Sequence, residues 1–279
     1  LKNPKLRKAV IPVGLDDNNL HPASRAVPAE MLPVVDRPLV QYAVEEALAS
    51  GLDELIFVTQ QGLTIVEDHF AEKRGPLRED DRSIVGRPSS WGPAGRPRQI
   101  LICRQNEGGG LAKALWSARN LIGAEAFAVL MPSDLLLGET PAMAQMIAQY
   151  DEHGGNVVAV ADDGLRQREG TSAAISAGSK GRYILQPDVF DALERQDRLD
   201  LNQAILSMAE AWSLRAVAVK GRHFDCRTPA GLLEAQVAYA LGRGGDLANA
   251  MDDVLERYGT GRLGRESFAK GTSLSEAGD

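Results

Sequence analysis

Seven short stretches of the chain are dominated by apolar and β-branched residues: KAVIPV from Lys8, ELIFVT from Glu54, QILICR from Gln99, AFAVLM from Ala126, NVVAVA from Asn156, RYIL from Arg182 and SLRAVAVK from Ser213. Several run apolar without alternation, the pattern of strands covered on both faces. Helical spacing fills the intervals. PLVQYAVEEALASG has Pro38 where a helix starts and Gly51 where it stops, and Val40, Ala43, Val44, Ala47 and Leu48 fall on one apolar stripe. LAKALWSARNLIG, PAMAQMIAQYDEHG, PDVFDALER, LDLNQAILSMAEAW and TPAGLLEAQVAYALGRG are further helices, the last with Thr228 as N-cap before Pro229. Strands alternating with helices predict an α/β fold, a mostly parallel sheet flanked by helices.

Residues 75–98, GPLREDDRSIVGRPSSWGPAGRPR, read as one long surface loop rich in Gly, Pro and charge, and the polar stretch 259–279 reads as a frayed tail. No internal repeat interrupts this order. At 279 residues, 44% of them hydrophobic, the chain can bury a substantial core. Its formal net charge of -7 offers no general attraction to nucleic acid or an anionic membrane, both of which reward clustered Lys and Arg. No apolar run approaches the roughly 20 residues of a membrane span, and LKNPKLRKAV lacks the apolar centre of a signal peptide, so the expected location is the cytoplasm. Cys103 and Cys226 are too few for a disulfide framework and read as reduced thiols, and the four histidines show no metal-ligand spacing.

In an open parallel sheet, ligands bind in the crevice beyond the carboxyl ends of the strands. There, after the first predicted strand, the chain reads GLDDNN: Gly14 and Leu15 followed by Asp16, Asp17, Asn18 and Asn19. A phosphate-binding turn presents backbone N–H groups and a fixed cation. Carboxylates in that turn repel phosphate, since like charges about 4 Å apart cost on the order of 4 kcal/mol at a surface-like dielectric. The competing interpretation is a stable turn, because Asp and Asn tolerate left-handed conformations and bond their own backbone.

PASRAVPAEMLPVVDRPLVQYAVEEALASGLDELIFVT, RQNEGGGLAKALWSARNLIG, GRYIL and FDC follow in order. With these segments the chain resembles the bacterial UTP:glucose-1-phosphate uridylyltransferases between Lys8 and Tyr239. The resemblance implies a sugar-nucleotide transferase fold with a Rossmann-like mixed sheet. It implies one nucleotidyltransferase-like domain over 1–258, with a nucleotide half near 1–150, a sugar half near 151–240 and C-terminal helices over 228–258. It also implies a homo-oligomer, and a reaction in which UTP and glucose 1-phosphate give UDP-glucose and pyrophosphate with Mg2+ as cofactor.

Carried over position by position, the resemblance assigns Gly14, Leu15, Gln105 and Gly110 to nucleotide binding, with Gln105 reading the uracil edge and Gly110 and Leu111 forming the turn beneath the base. Asp225 matches a metal-holding carboxylate, Asp134 is a second candidate metal ligand, and Gly170 is the candidate sugar contact. Lys113 stands where the family usually has histidine. Three catalytic positions depart from the family: its triphosphate-binding arginine falls on Asn19, the lysine of its K-E-M-L-P motif on Ala29, and the aspartate of L-P-D on Ser133. The sugar-phosphate motif V-E-K-P has no counterpart in the short segment between Glu169 and Lys180.

Nucleotidyl transfer depends on positioning and on cations where negative charge builds, and losing one such group costs about 2.7–4 kcal/mol if an oxyanion donor is a fair guide. The expectation is therefore a catalytically impaired paralogue, a pseudoenzyme that keeps weak binding of UTP or UDP-glucose and acts as a homo-oligomer or beside an active paralogue. Two alternatives stay open. One is a working transferase that uses Mg2+ with Asp134, Asp225, Arg25 and Lys113 in altered roles. The other is an interaction protein without nucleotide affinity, needing no cofactor, in which Gln105 is a remnant.

Overall fold

The first apolar run forms β1 (Lys8–Pro12) at the middle of the computed structural model, which describes residues 5–15, 19–70, 95–105, 109–160, 179–196, 198–209 and 214–259. A 3-10 turn (Ala29–Met31) and a minimal hairpin, β2 (Pro33–Val34) and β3 (Arg37–Pro38), lead into α1 (Leu39–Ala49). Then come β4 (Glu54–Gln60), α2 (Ile65–Phe70), β5 (Gln99–Gln105), α3 (Gly110–Ile122), β6 (Phe127–Leu130), β7 (Asp134–Leu137), α4 (Ala142–His153) and β8 (Asn156–Val160). The chain continues through β9 (Arg182–Leu185), α5 (Val189–Glu194), α6 (Leu201–Ala209), β10 (Leu214–Ala218), β11 (Arg222–Asp225), α7 (Pro229–Arg243) and α8 (Gly245–Gly259). Most of the long loop (75–94), the tail (260–279), Asp16 to Asn18 and Gly170 lie outside the described residues.

All seven apolar runs enter one sheet in the order β10-β8-β9-β6-β1-β4-β5. Every neighbouring pair is parallel except those made by β9, which runs antiparallel to both β6 and β8. The unbroken apolar runs reflect burial on both faces, since successive side chains of a strand point to opposite sides. Ala9 and Ile11 of β1, with Leu55 and Phe57 of β4, join the core beneath α1 and α4. Val10, Ile56 and Val58 join the opposite core with α3, α5 and α6. Thr228 caps α7 as its sequence suggests, its hydroxyl accepting the N–H of Gly231 at 3.1 Å. No helix among the described residues is long and apolar enough to cross a membrane.

The reversal of β9 places Arg182 opposite Leu130, at the carboxyl end of β6. This guanidinium is 1% exposed and binds Glu46 of α1, with Nη2 donating to Oε2 at 2.8 Å and Nε to both carboxylate oxygens at 3.1 Å. Its Nη1 donates to the carbonyls of Met131 and Gly181, while Glu46 Oε1 also accepts the backbone N–H of Met143 in the first turn of α4. One ion pair thus fastens α1, α4, β9 and the chain leaving β6 together. Burial works against the charge of Arg182, and Glu46 outweighs it, so the guanidinium pKa is raised.

Removing one partner of a buried pair strands the other's charge. Arg182→Met is therefore expected to lose about 3–5 kcal/mol of stability in urea denaturation; a loss below about 1 kcal/mol, the level of a surface pair, means the pair is not an anchor. The thiols give a second check. Burial, then the charges of Asp134 and Asp225, push Cys226 up to about 12 from an ordinary 9.0, while Cys103 is only half-buried. A thiol reagent added to native protein at about pH 8 is expected to modify Cys103 first and Cys226 only on unfolding. Equal native rates contradict this burial. Because the folded thiol binds its proton more tightly than the unfolded one, Cys226 favours the fold below pH 9 and that contribution fades as pH rises toward 12.

Candidate functional site

Strand order reverses at β1: the chain goes to β4 and β5 on one side, then crosses to β6 on the other. The crevice at such a switch point is where α/β sheets bind ligands. Two cavities open there. The first, about 280 Å³, is lined by Gly14, Leu15, His21, Arg25, Ala29 and Gln60 among others. The second, about 290 Å³, takes in Gly110, Leu111, Asp134, Gly181, Tyr183 and Arg227.

In the first cavity the backbone of Gly14, at a φ of 79°, is already engaged on both sides. Its N–H donates to the buried carboxylate of Glu30 at 3.1 Å, and its carbonyl accepts from Gln60 Nε2 at 2.6 Å. The amide that leads the first loop therefore faces a carboxylate. Ala29, in the 3-10 turn with Glu30, forms part of the wall and brings no charge. Arg25 is exposed and supplies a cation to the same lining. Asn19 is exposed, and its backbone N–H donates to the carbonyl of Arg227 at 2.9 Å, stitching the end of the first loop to the second cavity.

Gln105 ends β5 opposite Gln60 and is 2% exposed. Both its amide nitrogen and its amide oxygen are buried without a hydrogen-bond partner among the described residues. It lines neither cavity, whereas Gly110 and Leu111, at the start of α3, line the second. Lys113 lies over Gly109 and also lines neither.

The second cavity is organised by a two-stranded antiparallel ribbon, β7 with β11, whose register sets Asp134 directly opposite Asp225. Like charges at directly opposed positions are destabilising unless each is compensated. Here they are. Asp134, 3% exposed, accepts from His223 Nε2 at 2.6 Å, an N–H donor because an ionised carboxylate only accepts. Asp225 receives a fork from Arg227, Nε to Oδ1 at 2.7 Å and Nη2 to Oδ2 at 3.1 Å, and the Arg227 backbone N–H also donates to Oδ1 at 3.1 Å. Burial alone raises the Asp225 pKa, but these bonds and the charge of Arg227 outweigh it and hold the carboxyl below its usual range.

Two glycines make the arrangement possible. A Cβ on Gly181 falls 2.6 Å from the Asp134 side chain, and one on Gly231 falls 2.0 Å from the Asp225 carbonyl oxygen. Ser133 is buried beside Asp134 and uses its carbonyl to accept the N–H of Cys226 at 2.8 Å. Tyr183 and Ser179, joined hydroxyl to hydroxyl, complete this wall.

His223 and Arg227 are absent from the sequence-derived site. The alternation of RHFD, which puts His223 and Asp225 on one face of a strand, was the available signal for the first. For Arg227 it was the spacing of two from Asp225, at which a carboxylate commonly binds the following backbone. Mg2+ demands hard oxygen ligands in near-octahedral array. Among the described residues no group of three or more His, Cys, Asp or Glu could hold a metal ion, and both oxygens of Asp225 are engaged by Arg227. As placed, these side chains do not fit the ion.

A model of the family described as nucleotidyl transferase matches residues 8–170. UTP–glucose-1-phosphate uridylyltransferase 1 of Staphylococcus saprophyticus is 30% identical over 270 residues, covering 85% of this chain and 93% of that protein. The UTP–glucose-1-phosphate uridylyltransferase of Staphylococcus epidermidis is 30% identical over 269 residues with the same coverage. Among solved structures, UTP-bound UGPase from Acinetobacter baumannii superposes with a TM-score of 0.77 at 23% identity, over 90% of this chain and 99% of that one, a likeness of fold. A UDP-glucose pyrophosphorylase complexed with UDP-glucose gives 0.70 at 25% identity, over 84% and 98%. With its seven-stranded mixed sheet and its crevice at β1 and β6, the chain belongs to the nucleotidyl transferase family, among its UTP–glucose-1-phosphate uridylyltransferase-like members.

Proposed function

We propose that the protein binds a uridine nucleotide or nucleotide sugar in the crevice beyond β1, β5 and β6, and that it converts UTP and glucose 1-phosphate to UDP-glucose slowly if at all. The observation that carries the binding is the Gln105 amide, buried with neither of its polar atoms satisfied by a described residue. A primary amide presents a donor beside an acceptor, the complement of a uracil edge. Leaving such groups unpaired costs about 1–3 kcal/mol, and since Gln105 lines neither cavity as placed, a base relieves that penalty once the amide turns toward the crevice. Gly110 and Leu111 then lie under the nucleotide, and the sugar half follows from β8 onward.

Slow turnover follows from the cations. Phosphoryl chemistry needs fixed positive charge where the transition state is negative. Ala29 brings none to the first cavity, Asn19 turns its backbone to Arg227, and Glu30 occupies the Gly14 amide. Arg25 in the same lining favours a second reading, a working uridylyltransferase with a rearranged site. Exposed Leu233, Val254 and Leu255 on the C-terminal helices support association, with another copy or with an active paralogue.

Gln105→Leu separates binding from folding. Replacing an unsatisfied buried amide by a similar apolar side chain is expected to raise thermal stability, by the equivalent of about 1–3 kcal/mol, while abolishing the stabilisation that UDP-glucose gives the wild type. A variant still stabilised by UDP-glucose to the wild-type extent removes Gln105 from the site. Pyrophosphate release from UTP and glucose 1-phosphate is expected to be about 100- to 1000-fold slower than for the Staphylococcus saprophyticus relative. A rate within about tenfold of that relative, a gap of only 1.4 kcal/mol, selects the second reading.

A further inference from the structure

The β7–β11 ribbon sets two aspartates face to face at the wall of the second cavity, an arrangement that requires positive charge between or beside them. A divalent ion is one solution. This chain carries another. The Arg227 fork covers both oxygens of Asp225, with its position fixed three ways: its own N–H on Oδ1, its carbonyl on the Asn19 N–H, and the cap of Thr228 immediately after it. His223 covers Oδ1 of Asp134. Three of the roughly four lone-pair sites on Asp225 are therefore in use, and an ion approaching the remaining one on Oδ2 meets the guanidinium charge beside it.

We infer that Arg227 is a built-in cation standing in for a divalent metal on Asp225, so that the second cavity holds its anionic ligand by a covalently attached charge and excludes Mg2+ from this carboxylate. The location of the cavity as a ligand site rests on the function proposed above, but the exclusion of the ion does not. A planar fork suits a carboxylate in a way an ammonium does not, which ties the effect to arginine.

The test uses Mn2+, which shares the preference of Mg2+ for carboxylate oxygen, added to the full chain without nucleotide and followed by electron paramagnetic resonance of the free ion. Wild type is expected to show no site at Asp225 tighter than about 1 mM, the weak end of carboxylate sites. Arg227→Met keeps the length of the stem but removes the fork, and Arg227→Gly removes the side chain. Either is expected to gain a site at least about tenfold tighter, the range over which carboxylate supports alter metal affinity, and adding Asp225→Asn is expected to abolish it.

Two results overturn the inference: wild type binding Mn2+ as tightly as Arg227→Met through a site that Asp225→Asn removes, or neither Arg227 variant gaining a site. Because no nucleotide is present, either result is decisive whether or not UDP-glucose binds. If Gln105→Leu shows the nucleotide reading to be wrong, the Mn2+ titration still decides the role of Arg227. Circular dichroism of each variant, with backbone contacts of residue 227 retained, separates a lost fold from a lost exclusion.

Discussion

The pair between Arg182 and Glu46 is the constraint on which the site rests. A guanidinium at 1% exposure is tolerated only because its charge is matched and its other donors are taken up by carbonyls. Those carbonyls belong to Met131 and Gly181, which flank Asp134 in the second cavity. Glu46, for its part, also receives the first turn of α4. The position of the crevice floor is thus set by an electrostatic knot below it, and the direction of β9 is what delivers the arginine to that knot.

Above the knot, three polar groups at the crevice have partners from the chain itself. Gly14 is bound by Glu30, Asp134 by His223 and Asp225 by Arg227. The Gln105 side chain, which lines neither cavity, has both polar atoms unpaired among the described residues. The contrast is physical: the Gln105 amide is buried and unpaired among the described residues, whereas the Gly14 N–H, Asp134 and Asp225 each hold a partner within the chain. Low dielectric makes both halves of the contrast strong, since unpaired groups are costly there and paired ones hard to separate.

Much of the fold was legible because the strongest signals are local. Seven apolar runs became the seven strands of the main sheet, and the helices with clear stripes and punctuation formed where Pro38, Gly51 and Thr228 place their ends. The reversed direction of β9 was not legible, since a four-residue run such as RYIL reads alike in either direction. β7, β11 and α2 escaped for another reason: DLLL follows AFAVLM after only two residues, and RHFD and IVEDHF mix polar with apolar positions, so none stands out as a separate apolar run.

At the site, the sequence by itself determined which residue types stand at Asn19, Ala29, Gln105, Ser133 and Asp225, and therefore which charges are missing. Only the tertiary structure decided what the remaining groups touch. His223 meets Asp134 across 89 positions of the chain and Arg182 meets Glu46 across 136, separations that no local pattern reports. Even Arg227, two residues from Asp225, needed the turn into α7 before its fork could close on both oxygens. Residue identity is carried by the chain, but partnership is set by packing and by where β9 and β11 bring their ends.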